Sequence, residues 1–496
     1  MAESPVRGGR AVRSFLALGA GNYGAMALGL IVNVLLARRL GSAQYGRLAL
    51  MLMASQVLAL VAANWSHAGF VRFGAQEFAA NGHLTVAFWT RLGILLPAAA
   101  LAVGGVLVMG RPLATYLGIP EVGVWLLLVH FMAASTLSVV GAVFQASDQM
   151  ARYGVCLLLD KATMLLCIGA LPPAWTRSPL AILGCYAASS LSVAIWGISR
   201  SRVHLRENVL PTRSSYREML LFSAPLLLSS WAGFFGTNWF DLVILKQYVP
   251  MSELGLYSLA TQLAGVVQQI TVIFSTLLLP HLSVMVAQRQ DQRILIYLRR
   301  LLPYWLLGTS LLLSVIVVAG RHGIALVFGG SFAGAAPVLA LLMLATSALA
   351  LFNACAPLVT AYGSTWALTG IGLLSASANV VLDLLLIPRF GIEGSAVATT
   401  LAYGVSAVLV LLLLQFRLRT GLFQFAFAGA PVLAASLCFL LVDGGWFYVA
   451  APATAAASVV ALVRAFGLFQ RKDEMFLREL RQSMPFRLGA GVSAGK

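Results

Sequence analysis

The sequence predicts an all-α membrane protein of about fourteen spans, and three observations carry that prediction. Long apolar runs recur at even spacing from Gly24 to Val463. Only 10% of the 496 residues are charged while 60% are hydrophobic, too little polar surface to cover a water-soluble protein of this size. The alternating apolar–polar pattern of a membrane barrel is absent, which leaves helices as the structures that satisfy their own backbone in lipid.

A helix needs about 20 apolar residues to cross some 30 Å of hydrocarbon. On that scale the expected spans are 14–37, 46–68, 87–109, 122–144, 155–173, 179–198 and 218–244 in the first part of the chain. The remainder are 254–279, 300–319, 335–358, 367–387, 394–416, 423–441 and 446–466. Pro172, Pro173 and Pro179 crowd the junction of the fifth and sixth. Pro97, Pro225, Pro280 and Pro357 fall within or at the ends of spans as kink points, with Gly24, Gly29, Gly233 and Gly236 as bending or close-packing points.

The formal charge of +17 would suggest nucleic acid as a partner in a soluble protein. In a membrane protein it reports orientation, because Lys and Arg stay in cytoplasmic loops. With the N-terminus inside, the outer side receives only Arg38, Arg39, Arg47, Arg111, Arg177, Lys246, Arg321 and Arg389 of the 33 basic residues. Both termini are therefore expected in the cytoplasm, and no nucleic-acid partner is expected. The first apolar stretch is long and lacks an A-x-A exit, so it is expected to remain as a span. Cys156, Cys167, Cys185, Cys355 and Cys438 lie in apolar spans without metal-ligand spacing, so no metal, cofactor or disulfide framework is expected. The tail 467–496 reads as a short helix at anionic headgroups or as a solubilising extension.

The expected organisation is an N-terminal six-helix bundle (1–198), a basic cytoplasmic linker (199–217) and a C-terminal six-helix bundle (218–416). An extra helix pair (417–466) and a basic tail (467–496) follow. The two bundles look related at a shift of 209 residues, which aligns Leu35–Leu50 with Ile244–Leu259 and pairs Gly46 with Gly255 and Arg91 with Arg300. Halves of six spans share one orientation and are expected to pack about an axis along the membrane normal.

Three segments carry a resemblance. ARRLGSAQYGRLAL, from Ala37 to Leu50, resembles the A-R-x-L-G-x-x-x-[YF]-G signature of polysaccharide and O-antigen flippases. Asp241 followed by Gly255, Leu256 and Tyr257 looks like its second-half counterpart. Ala378 to Thr399 (ANVVLDLLLIPRFGIEGSAVAT) is similar to that family's N-x-x-L-N-x-x-L-I-P-x-[FY]-G-I-x-G-A-A-x-A-T segment, with Asp383 where Asn is commoner. The doubled pair Arg38-Arg39 is a second departure. The resemblance implies the Wzx-like branch of the multidrug/oligosaccharidyl-lipid/polysaccharide exporter superfamily, with two six-helix bundles facing each other in a V. It further implies a flippase in the bacterial cytoplasmic membrane that carries an undecaprenyl-pyrophosphate-linked oligosaccharide to the outer leaflet. Membrane lipid and polysaccharide polymerase or chain-length proteins would be its partners.

Such a substrate needs a polar path through apolar helices, so polar residues repeating on helix faces are the candidates. Asn22 and Asn33 are about three turns apart on the first span. Gln56 and Asn64 add polarity to the second, Asn238 to the seventh, and Gln262 and Gln269 to the eighth; Ser375, Asn379 and Asp383 form a stripe on the eleventh. The other reading of these stripes is interhelical hydrogen bonding. Asp241 and Asp383 are candidates for ion coupling, since intramembrane charge is expensive; Asp241 alternatively neutralises Lys246. Asp160-Lys161 is either a self-compensating pair or a source of cavity charge. Arg72, Arg91 and Arg300 are candidates to receive a diphosphate, for which Arg is the better bidentate partner, or else anchors at the inner interface. His67, His130 and His281 stand isolated in sequence.

Two further readings remain within the superfamily, a lipid II flippase and a cation-coupled drug antiporter. One lies outside it, an integral-membrane glycosyltransferase, polymerase or ligase. The external loop Arg38–Arg47 contains no Asp or Glu, and no Walker A or H-E-x-x-H motif occurs. A non-enzymatic secondary transporter is the expectation.

Overall fold

A computed structural model of the chain describes residues 5–201, 210–235, 238–419, 421–442 and 444–467. Residues 468–496 of the basic tail, 202–209 of the linker and the bending point Gly236 lie outside the described residues. Helices and short turns account for the regular structure, with no β-strand among the described residues.

The helices are α1 (Pro5–Ala62), α2 (His67–Asn81), α3 (Thr85–Val108), α4 (Gly110–Leu117), α5 (Glu121–Ala146), α6 (Met150–Ala170), α7 (Pro179–Ser201) and α8 (Arg213–Phe235). They continue as α9 (Asn238–Tyr248), α10 (Met251–Ala287), α11 (Asp291–Ile296), α12 (Leu302–Phe328), α13 (Ala335–Ala361), α14 (Thr365–Leu418), α15 (Ala430–Leu441) and α16 (Phe447–Ala465). Ten helices among the described residues are long and apolar enough to cross a membrane. Two of them hold two expected spans each. α1 breaks at Gly41 (φ 68°, ψ 171°) and α14 at Gly391 (φ 55°, ψ −132°), backbone conformations that glycine adopts without a Cβ penalty. The seventh expected span is divided between α8 and α9, and the thirteenth is the shorter apolar segment containing α15. The all-α, multi-pass architecture is thus borne out. Side chains such as Leu101, Val108, Leu166, Phe416 and Leu441 are more than 70% exposed, a surface suited to acyl chains rather than water.

Sequence reasoning left 69–86 as a cytoplasmic loop, whereas α2 occupies most of it. Glu77, near the end of α2, accepts hydrogen bonds from the amides of Val86 (2.9 Å) and Ala87 (2.8 Å). These are first-turn donors of α3 with no helical partner of their own, so the carboxylate caps α3 and complements its dipole.

By internal packing the chain divides into two units. The first comprises Met1–Val266, Arg321–Leu339 and Gly372–Ala402; the second comprises Val267–Gly320, Ala340–Ile371 and Tyr403–Lys496. In the first unit small residues let helix backbones meet closely, as lipid-embedded interfaces require. An ideal Cβ on Gly21 would stand 2.6 Å from the carbonyl oxygen of Gly154, joining α1 to α6. Gly46 and Gly255, the pair related by the 209-residue shift, face each other. A Cβ on Gly46 would overlap the carbonyl oxygen of Met251 and lie 2.8 Å from the Gly255 nitrogen. A Cβ on Gly255 would overlap the Ser42 carbonyl.

Other corners gather at the same junction. A Cβ on Gly391 would be 3.3 Å from Val249 Cγ1. The Tyr45 ring meets Phe332 edge-on at 5.5 Å. The doubled arginines have separate duties here: Arg38 donates to the carbonyls of Val327 and Leu326 (2.7 Å each) at the end of α12, and Arg39 donates to Ile168 (3.1 Å) near the end of α6. Arg38 thereby satisfies carbonyls that the C-terminus of α12 leaves unpaired, and Arg39 adds a second donor to the Ile168 carbonyl, which also accepts from the Leu171 amide.

In the second unit the core is built by Leu298, Leu302, Leu351, Leu358, Leu411, Leu414 and Phe425. Polar stitches cross it. Ser310 donates to Ala428 (2.6 Å), Asn353 donates to Thr271 (2.8 Å), and Phe274 stacks on Trp305 at 3.7 Å.

Candidate functional site

A cavity of about 500 Å³ opens inside the first unit. α1 contributes Asn22, Gly29 and Asn33; α5 contributes Leu137, Ser138 and Gly141; α6 contributes Tyr153, Asp160 and Lys161; His67 and Val266 complete the wall. The eleven-residue spacing that predicted one face for Asn22 and Asn33 does place both on this cavity. Asn33 Oδ1 also accepts from the Tyr45 hydroxyl at 3.4 Å.

The charged corner of the cavity is built in layers. Lys161 Nζ donates to Asp160 Oδ2 at 2.8 Å. Side chains of adjacent helical residues do not normally face each other, so something must hold this carboxylate. Ser190 donates to Asp160 Oδ1 at 3.0 Å and Ser189 approaches it at 3.2 Å, both from α7. An ammonium has three donors, and the bond to Asp160 uses one of them. Behind this corner His130 Nδ1 pairs with Ser55 Oγ at 2.8 Å, and its ring meets Tyr186 edge-on.

A second polar cluster in the same unit joins α9, α10 and α14. Asp241 and Asp383 are fully buried and Asn379 nearly so. Asn379 Nδ2 donates to Asp241 Oδ1 (3.1 Å) and Asp383 Oδ2 (2.9 Å), so one amide bridges two carboxyl groups. The Tyr257 hydroxyl donates to Asp241 Oδ2, and Ser395 donates to that hydroxyl at 3.0 Å. Asp383 also lies within hydrogen-bonding reach of Asp241. Of the two readings open for Asp241, its neighbours are these groups; among the described residues no ion pair joins it to Lys246. Asn379 Oδ1 and Asp383 Oδ1 are buried without a hydrogen-bond partner. Two adjacent carboxyl groups and two unpaired oxygens thus lie together, with no guanidinium or ammonium among their hydrogen bonds.

The other sequence candidates are dispersed. Gln56 and Asn64 are exposed, and Gln262 interacts with the Tyr45 hydroxyl. Arg72 is exposed and stacks on Phe222 of α8, its guanidinium 4.5 Å from the ring centroid. Arg91 is 1% exposed and sits 5.1 Å over the Phe70 ring. Asn238 begins α9, and its side chain lies outside the described ones. Gln269 and Arg300 belong to the second unit: Gln269 is exposed, and Arg300 lines a cavity of about 440 Å³ with Arg299, Leu422, Phe425 and Phe466. Arg299 and Arg300 lie in a π turn over Tyr297–Leu301. Sequence reasoning left His67 isolated, did not single out Ser190, and missed Tyr257 and Ser395 as members of a site although both stood within quoted motifs.

Apolar membrane-crossing helices around polar groups define a multi-pass membrane protein, and its fold is shared with a solved lipid transporter. The lipid II flippase MurJ, in an inward closed conformation, superposes with a TM-score of 0.70 at 12% identity, covering 94% of this chain and 100% of that one. The model of the polysaccharide biosynthesis protein family matches residues 11–286, and the chain belongs to that family. Two relatives from Haloferax volcanii are similar in sequence. The probable low-salt glycan biosynthesis flippase Agl15 is 24% identical over 215 residues, 43% of this chain and 44% of that protein. The probable flippase AglR is 26% identical over 251 residues, 47% and 48% respectively. The chain thus spans about half the length of the curated relatives it matches. These findings bear out the resemblance drawn from the three motifs.

Proposed function

We propose that the chain is a flippase that moves an undecaprenyl-pyrophosphate-linked oligosaccharide from the inner to the outer leaflet, for O-antigen, capsule or exopolysaccharide synthesis. The observation that carries this reading is the cavity itself: amides, a tethered ammonium and an imidazole enclosed by helices whose outer faces suit lipid. Amides and hydroxyls suit the hydroxyl-rich surface of a sugar, and Lys161 supplies charge for an anionic head. Family membership and relatives named as flippases support the same reading.

In this proposal the protein makes and breaks no covalent bond. It resides in the bacterial cytoplasmic membrane with both termini in the cytoplasm, and hands its product to a polymerase and chain-length proteins. The Asp241–Asn379–Asp383 cluster binds the cation or proton whose gradient drives the cycle, because two neighbouring buried carboxyl groups need a positive partner.

The test is replacement of the gene in a host whose surface glycan depends on it. Loss of the chain should abolish surface glycan and leave lipid-linked oligosaccharide on the cytoplasmic leaflet. Lys161→Gln should lower export at least tenfold at unchanged protein level. Wild-type export by Lys161→Gln, or normal surface glycan without the protein, would remove the reading.

A further inference from the structure

Arg91 presents an electrostatic anomaly that the cavity does not absorb. It is 1% exposed, and Nε, Nη1 and Nη2 are all buried without a hydrogen-bond partner. Its aromatic neighbour, Phe70, offers a ring face and no acceptor. Its charged surroundings are unfavourable as well. Phe70 closes the first turn of α2, the positive end of that helix dipole. His67, in the same turn, lies close enough to feel the guanidinium's charge. Glu77, the carboxylate of α2, is turned away to cap α3.

A second orphan flanks the same turn. Ser223 of α8 is fully buried, and its hydroxyl has no partner. That oxygen points at Gly69, where a Cβ would overlap it. So a helix N-terminus, a buried guanidinium from α3 and a buried hydroxyl from α8 meet at residues 67–70, with donors in surplus. A buried charge left without hydrogen bonds is strongly unfavourable. Arg and helix N-termini are the two commonest protein partners of phosphate.

We propose that the first turn of α2, Arg91 and Ser223 form an occluded anion site that takes a phosphate group of the lipid carrier. The proposal rests on the flippase reading and deepens it. His67 is shared between this turn and the wall of the cavity, so the phosphate would sit beside the space that receives the sugar. Because the site is sealed, the anion enters when α8 separates from α2 and α3, and bound anion then holds the three helices together. Arg72, exposed on α2 and stacked on Phe222 next to Ser223, stands outside as the first cation an arriving diphosphate meets.

The experiment uses the purified full chain in detergent, with inorganic pyrophosphate and a polyprenyl diphosphate as probes. Inorganic pyrophosphate should bind saturably, raise the unfolding temperature and weaken with added salt. Arg91→Gln should lower affinity at least tenfold and Ser223→Ala severalfold, with the exposed Arg111→Gln, whose partner is Glu121, unchanged. Arg91→Lys keeps the charge without the planar fork; it should fold and bind with intermediate affinity. Displacement of pyrophosphate by polyprenyl diphosphate supports the lipid source. Pyrophosphate binding that the lipid does not displace would overturn the assignment to the carrier. Absence of saturable binding, or wild-type affinity in both Arg91 variants, would overturn the site and leave Arg91 as a packing residue on Phe70. The flippase reading fails separately, in the glycan assay, with pyrophosphate binding intact.

Discussion

Gly255→Ala tests the tightest glycine contact among the described residues of the first unit. The new methyl would overlap the Ser42 carbonyl oxygen, stand 2.8 Å from its carbon and 3.1 Å from the Gly46 nitrogen, where ordinary contact begins at 3.4 Å. These obstructing atoms are backbone, so no side-chain rotation relieves the clash and α10 must move away from α1. Overpacking costs about 1–3 kcal/mol, and a backbone obstacle puts this site near the top, at about 3 kcal/mol. Replacing a helical glycine by alanine returns about 1 kcal/mol, leaving a net loss of about 2 kcal/mol. Gly265 is the internal control, on the same helix with nothing within 4 Å, and Gly265→Ala should gain up to about 1 kcal/mol. Since Gly46 and Gly255 close one gap, a second alanine meets helices already parted. Gly46→Ala with Gly255→Ala should therefore cost about 1 kcal/mol less than the sum of the singles. The assay is reversible unfolding of the purified chain in mixed micelles. If Gly255→Ala matches Gly265→Ala, the packing argument is wrong.

Three further outcomes are expected. Gly391→Ala places a Cβ on a backbone at φ 55° and ψ −132° and should destabilise the chain by about 1–3 kcal/mol, read in the same unfolding assay against Gly104→Ala. Glu77→Ala uncaps α3 and should cost about 1–2 kcal/mol, with hydrogen exchange rising first at the Val86 and Ala87 amides; uniform exchange would contradict the capping role. Asp383→Asn leaves one carboxyl group in the buried cluster and should uncouple glycan export from the ion gradient, so that export by the variant no longer responds to an ionophore that slows the wild type.

Span positions were legible in the sequence because hydrocarbon thickness imposes its length on every crossing, whatever the helix later meets. The Asn22–Asn33 spacing was legible for a similar reason: helical periodicity fixes a common face. What a face meets is not periodic. Gln56 and Asn64 looked equivalent to Asn22 in pattern, yet they are exposed while Asn22 borders the cavity. Asp160 looked like half of a local pair, and its tie to Ser189 and Ser190 depends on α7 packing beside α6. Arg38 and Arg39 stood out only as a doubled pair; their partners are carbonyls 289, 288 and 129 residues away. α2 escaped notice because its glycine, alanine and charged residues make no long apolar run.

The quoted motifs supply the glycine corners at Gly46, Gly255 and Gly391 and the Asp241–Asn379–Asp383 cluster, whereas Asn22, His67, Asp160 and Lys161 stand outside them. On the function proposed above, what makes the lineage recognisable is therefore its chassis and engine, and the hold in which freight travels is upholstered separately. A descendant could refit that hold for a different glycan without touching a signature residue, so attempts to change what is shipped belong on the walls of α1, α5 and α6.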